Sequence, residues 1–168
     1  GTARLSELRI DRALVARIRD RLPHHALSTD IIVGYPGETD DDFQQTMALL
    51  RDLRFDSAFT FAYSERDGTQ AARSRPDDVP DAVKGERLQQ VIALQESISR
   101  EKYAAMIGRE VELLLNGRSR KNEACFVGRT SCFKTTVLAA GEFEAGQLVR
   151  ARVTDATSHT LFAEALPA

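Results

Sequence analysis

Hydrophobic and polar positions alternate with two different periods along the first hundred residues. Leu14, Ile18 and Leu22 stand four apart with Val15 beside them, which predicts one apolar helical face ending at Pro23. "ALSTDIIVG" reads as a strand with a buried β-branched core, Ile31-Ile32-Val33. Thr39 followed by Asp42 spells a capping box, and Phe43, Met47, Leu50 and Leu53 then mark the buried face of a second helix. In "FDSAFTFAYS" the period returns to two. Phe59, Phe61 and Tyr63 form a bulky face expected to pack against helices. Ala58, Thr60 and Ala62 form a small face, open either to a flat ligand or to tight packing. After the turn-rich "SERDGTQAARSRPDDVP", a long helix starts near Pro80-Asp81, carries the stripe Val83, Val91, Leu94 and Ile98, and ends before Gly108.

The rest of the chain keeps only the strand period. "EVELLLN", "ACFVGRT", "KTTVLAA", "QLVRARVTDA" and "HTLFAEA" are five short strands with no helix between them, the pattern of a small β-barrel. Asn116-Gly117 reads as a turn. The organisation expected is an α/β domain over residues 1–103 with an exit helix, then a five-stranded all-β barrel over 104–168.

Composition changes this picture little. With 42% apolar and 29% charged residues the chain has the balance of a globular protein, and no apolar run approaches the ~20 residues of a membrane span. The amphipathic N-terminus is no signal peptide, so a cytoplasmic protein without membrane partners is expected. Charge is more telling. Between positions 118 and 134, Arg118, Arg120, Lys121, Arg129 and Lys134 face only Glu123. Such a cluster is either a phosphate-binding surface or a solvated hairpin tip, with Phe126 and Phe133 as stacking faces or core.

"IIVGYPGETDDDF" has the strand–glycine–helix layout of a phosphate cradle, but Glu38, Asp40, Asp41 and Asp42 would repel a phosphate. "STDIIVGYPGETDDDF", "FDSAFTFAYSERDGT", "VKGERLQQVIALQ" and "VGRTS…K" together resemble the C-terminal part of the radical-SAM tRNA methylthiotransferases of the MiaB type, over roughly residues 14–166. That resemblance implies a partial radical-SAM, TIM-like β/α barrel followed by a TRAM barrel that binds tRNA. It favours the group acting on prenylated adenosine beside the anticodon over the sister groups that modify a ribosomal-protein aspartate or a threonylcarbamoyl adenosine.

The resemblance also gives the loop a ligand. The family lines its S-adenosylmethionine pocket with the strand and loop matching Asp30, Ile32, Gly34 and Glu38, and Phe61 and Tyr63 would flank the adenine beside Ile32. A cationic sulfonium tolerates nearby carboxylates. The basic residues Arg118, Arg120, Lys121, Arg129 and Lys134 become the expected tRNA contacts. The family's two 4Fe-4S clusters need cysteine triads that this chain lacks; Cys125 and Cys132 do not replace them. No catalytic residue and no metal ligand is therefore assigned, and the chain alone is expected to be inactive, its partners being tRNA and the N-terminal part of the same enzyme. The alternative is a stand-alone tRNA-binding TRAM module. Where the family has prolines, the chain has Glu65, Asp67 and Gln70, so that loop is expected to be more flexible.

Overall fold

The computed structural model describes residues 12–23, 25–66, 68–139 and 141–167. They form two units that divide within one long helix, between Glu96 and Ser97. The first unit is a β-α-β motif with extra helices. Strand β1, Ser28–Val33, crosses through helix α2, Asp40–Leu53, to strand β2, Ser57–Ala62, which pairs parallel with β1 from Ser28↔Ser57 to Val33↔Ala62. A parallel pair needs such a crossover. Thr39 caps α2 as expected, accepting from the Asp42 amide while the Asp42 carboxylate accepts from Thr39.

The core of this unit brings Phe43, Met47, Leu50 and Leu53 of α2 against Ile31 and Val33, with Val91 of the long helix. Two expectations are corrected. Ile32 does not join the buried run but is 53% exposed, because helices cover one face of the strand pair only. The faces of β2 are also reversed: Ala58 packs on the core, whereas Phe59 and Phe61 are exposed. The helices already bring large side chains, so close packing calls for small ones opposite them.

Helix α1, Arg12–Arg21, buries Val15 but leaves Leu14 and Leu22 exposed, contrary to the expected stripe. Its polar contacts set its rotation. Arg12 pairs with Asp52 at 2.9 Å, and Arg19 donates to the carbonyls of Leu53 and Arg54, where α2 ends in a left-handed Arg54. A cation at a helix C-terminus meets unpaired carbonyls and the negative end of the dipole. The loop after β2 contains a short helix, α3, Gln70–Ser74, capped by Thr69. Glu65 precedes it, and Asp67 lies outside the described residues. Helix α4, Asp81–Ala104, starts and ends as expected.

The second unit contains strands β3, Glu110–Arg118; β4, Phe126–Thr130; β5, Thr135–Leu138; β6, Leu148–Ala156; and β7, Leu161–Ala165. They close in the order β3-β4-β5-β7-β6, antiparallel except for β5 with β7. Closure leaves no free sheet edge. Alternate residues Leu113, Leu115, Phe126, Leu138, Val149, Ala151, Val153, Leu161 and Ala163 point inward and are buried. Asn116-Gly117 is a bulge inside β3 rather than a turn, with Gly117 at φ 139°. Gly is favoured there because the same positive φ serves bulges and turns.

Gly128 is the tightest point of the wall: a Cβ there would stand 2.7 Å from the Leu114 carbonyl oxygen. We expect Gly128→Ala to destabilise the barrel by about 2 kcal/mol, read as a fall in the urea midpoint, since the neighbour is backbone and cannot rotate away. On the outer wall, hydrogen bonds from Arg152 and Arg150 hold the Glu110 carboxyl below its ordinary 4.5. The folded state then favours the ionised form more than the unfolded chain does. This link stabilises the barrel above about pH 4.5 and is lost as pH falls through the lowered folded value. Glu110→Gln should flatten that acid limb in melting curves taken across pH, and an unaltered limb would refute the link.

Candidate functional site

The strand pair of the first unit offers one open face. Register places Asp30 beside Phe59 and Ile32 beside Phe61, all four on the side away from the helices. Phe59 is 63% and Phe61 54% exposed, as large as apolar groups on a finished surface are seldom left. At the C-terminal end of this face, Gly34 turns the chain with φ 70°. Tyr63 follows β2 there, its ring edge-on to Tyr35 at 5.3 Å, and its hydroxyl is buried with no hydrogen-bond partner among the described residues. Loss of water, then the nearby Glu65 and Asp77, push the Tyr63 phenol above its ordinary 10.0.

The Gly34–Glu38 loop is fixed from behind by α4 and by the segment before it. Glu38, among the expected ligand residues, is turned away from solvent: its carboxylate accepts from the Gly34 amide at 2.6 Å and from Arg87 at 2.7 Å. Arg87 also donates to the Glu38 carbonyl at 3.1 Å and to Asp40 at 2.6 Å, and stacks over Phe43. Lys84 lies under the loop, so near that a Cβ on Gly34 would meet its Cγ. Its ammonium pairs with Asp77 at 2.5 Å and Asp81 at 3.3 Å, and the Asp77 hydrogen bond raises its pKa against the opposing effect of burial. Asp78 accepts from the Gly37 amide at 2.7 Å, and Arg75 donates to the Pro36 carbonyl. The acidic loop is therefore neutralised by its own protein. Asp40 and Asp42 start a helix, and Glu38 holds a turn.

Lys84 and Arg87 were not among the expected site residues. Their signal lies in spacing: positions 84, 87, 91, 95 and 98 fall on one face of α4, and charges inside a buried stripe require partners. We expect Arg87→Met to cost about 3 kcal/mol in urea unfolding, because it strands a carboxylate that is 2% exposed. Adding Glu38→Gln should recover part of that loss; two strictly additive losses would disprove the coupling.

In the barrel, the five expected RNA contacts do not form one patch. Arg118, Arg120 and Lys121 lie where β3 passes into β4, and Arg129 and Lys134 lie at the other end of β4, about 13 Å along the strand at ~3.3 Å per residue. Arg118 donates to the Glu123 carbonyl at 2.8 Å and covers the ring of Phe126, which is core. Arg120 and Lys121 are exposed. Lys134 is mostly buried, its ammonium 4.4 Å from the ring centre of Tyr103. Cys125 and Cys132 fall at opposite ends of β4, and no group of three or more Cys, His, Asp or Glu able to hold a metal exists among the described residues.

β4 and β5 are joined by Ser131-Cys132-Phe133-Lys134, and the Thr130–Lys134 hydrogen bond closes a turn around the first three of them. The Phe133 amide donates to the Thr130 carbonyl at 2.9 Å, the Thr130 amide to the Lys134 carbonyl, and the Lys134 amide to the Thr130 hydroxyl. The third loop position is left-handed, with φ 62°, and Phe133 occupies it. Gly or Asn suits that position; a bulky residue there costs about 1 kcal/mol. The ring is 75% exposed, with the Arg129 guanidinium 5.0 Å above it and donating to the Phe133 carbonyl at 3.2 Å.

The TRAM domain family matches residues 104–166, the span of the barrel. A tRNA-2-methylthio-N(6)-dimethylallyladenosine synthase of Chlorobium limicola is 46% identical over 154 residues, covering 92% of this chain and 35% of that protein. Proteins of the same name from Methylacidiphilum infernorum and Porphyromonas gingivalis are 44% and 43% identical over 150 residues, each covering 89% of this chain and 32% of the relative. The chain spans about a third of the length of these curated relatives. Residues 104–166 are a TRAM domain, and nearly the whole chain is homologous to a third of the tRNA-2-methylthio-N(6)-dimethylallyladenosine synthases.

Proposed function

We propose that the chain is the C-terminal portion of a tRNA methylthiotransferase acting on prenylated adenosine beside the anticodon, in the cytoplasm. The supporting observation is similarity to the synthases over 86–92% of the chain, crossing both units rather than stopping at the TRAM domain. In this reading the barrel holds tRNA through Arg118, Arg120, Lys121 and Arg129, with Lys134 supporting the β4–β5 end from inside. The first unit is the last part of a radical-SAM barrel, its open face turned to the ligand.

The residues of that face fit S-adenosylmethionine. Ile32 and Phe61 offer apolar surface to an adenine, Asp30 a negative charge to a cationic ligand, and Gly34 a backbone free of side-chain bulk. The unpartnered Tyr63 hydroxyl leaves a donor for a polar group. Glu38 acts one step removed, holding the loop that bears Gly34. When bound beside a reduced cluster, S-adenosylmethionine supplies a radical; this chain's own part is to hold and orient it. Iron–sulfur clusters do not fit the described residues, since the two thiols stand at opposite ends of β4 and no group of three or more metal-ligating side chains is among them.

The 168-residue chain should then bind tRNA, with affinity falling steeply as salt rises. Replacing Arg118, Arg120 and Lys121 together by Ala should weaken binding to all tRNAs alike and lower the slope of log affinity against log salt by about one for each phosphate no longer neutralised. An unchanged slope would exclude this end of β4 from the interface. The same chain, incubated with S-adenosylmethionine and a strong reductant, should yield no 5′-deoxyadenosine; its formation would overturn the assignment of the clusters to residues outside this sequence.

A further inference from the structure

We propose that Phe133 is a base-stacking platform, with Arg129 as its cationic flank, and that single-stranded RNA is read across the β4–β5 end of the barrel. The inference rests on the tRNA-binding reading above and adds to it a specific contact and a class of ligand, an unpaired nucleobase. Its grounds are local. A phenylalanine stands at the loop position that best suits glycine, fully committed by three turn hydrogen bonds, and its ring is 75% exposed. Neither folding nor burial explains that choice, since the backbone disfavours it and the ring contributes nothing to the core.

The surroundings suit a base rather than an apolar peptide. Arg129 sits over the Phe133 ring at 5.0 Å, is itself exposed, and carries more N–H donors than the one it gives to the Phe133 carbonyl. Register carries Arg129 next to Leu114 and Leu114 next to Leu148, and both leucines are half-exposed or more on the outer wall. A cation flanked by an aromatic ring on one side and apolar side chains on the other suits the alternation of charge and base along single-stranded RNA. Arg118, Arg120 and Lys121 at the far end of β4 provide further positive charge about 13 Å along the strand, the reach of two or three nucleotides. The one acidic residue from 118 to 134 is Glu123, at the opposite end from Phe133.

The test uses the full chain and a short single-stranded oligoribonucleotide carrying 2-aminopurine, whose fluorescence is quenched by stacking, alongside unmodified tRNA. Phe133→Ala should weaken binding about tenfold, leave the salt slope unchanged and abolish the quenching, while Phe133→Tyr retains both. Phe133→Gly should melt at a higher temperature than the parent and bind as weakly as Phe133→Ala, a combination that a structural role for the ring would not produce. Equal affinity and quenching in Phe133→Ala would overturn the stacking platform while leaving tRNA binding intact. Absence of any RNA binding by the unaltered chain would overturn both.

Discussion

The pair between Glu38 and Arg87 is the interaction on which the first unit depends. A parallel strand pair presents its ligand-facing loops at the C-terminal ends of the strands, and such loops have few internal hydrogen bonds. Here one guanidinium binds the Glu38 carboxylate, the Glu38 carbonyl and Asp40, while the same carboxylate accepts from Gly34. Three groups of the loop and the start of α2 are thereby tied to one side chain of α4, and Gly34 is tied to it through the carboxylate. Without that link the glycines at 34 and 37, both at positive φ, would leave the turn among the most mobile parts of the unit. Burying two charges is seldom a net gain over an apolar pair of equal volume. What the pair supplies is a single loop conformation, since an arginine fork fits only one arrangement of acceptors.

The barrel reaches rigidity by another route. Each wall strand has a partner on both sides, so its ends can carry costly features without fraying. Phe133 is the clearest case. Its turn is closed by Thr130 through both backbone and hydroxyl, and the neighbouring Lys134 is anchored over Tyr103. A strained residue persists only where its surroundings over-determine it. The first unit uses a buried ion pair and the second a set of turn hydrogen bonds to the same end, a single loop conformation.

Hydrophobic spacing makes much of this visible in advance. α2 with its capping box and the five barrel strands follow from patterns that repeat often enough to exceed local noise. The failures share a cause. Reading size as burial puts Phe59 and Phe61 in the core, whereas a strand facing large helical side chains buries its alanines. Reading charge as exposure hides Lys84 and Arg87. Asn116-Gly117 satisfies a turn and a bulge equally, and only the partner strand decides between them. α3, at five residues, is too short to show a period. Of the candidate site, Asp30, Ile32 and Phe61 share the open face, but that Glu38 points inward depends on a residue 49 positions later.

Sequence patterning predicts the lowest-energy use of each residue, and it fails where a residue is put to a costlier use. Open phenylalanines on β2, a phenylalanine in a glycine conformation and an unpartnered tyrosine hydroxyl are such uses. None improves stability where it stands. Each rests on a frame secured by other residues. The basic residues need no such frame, because charge acts at a distance and tolerates motion. Stacking does not, since a ring displaced by a few ångströms no longer touches its partner. Arg120 and Lys121 stand on an open loop, whereas the turn that carries Phe133 is closed by a hydroxyl, two carbonyls and an arginine.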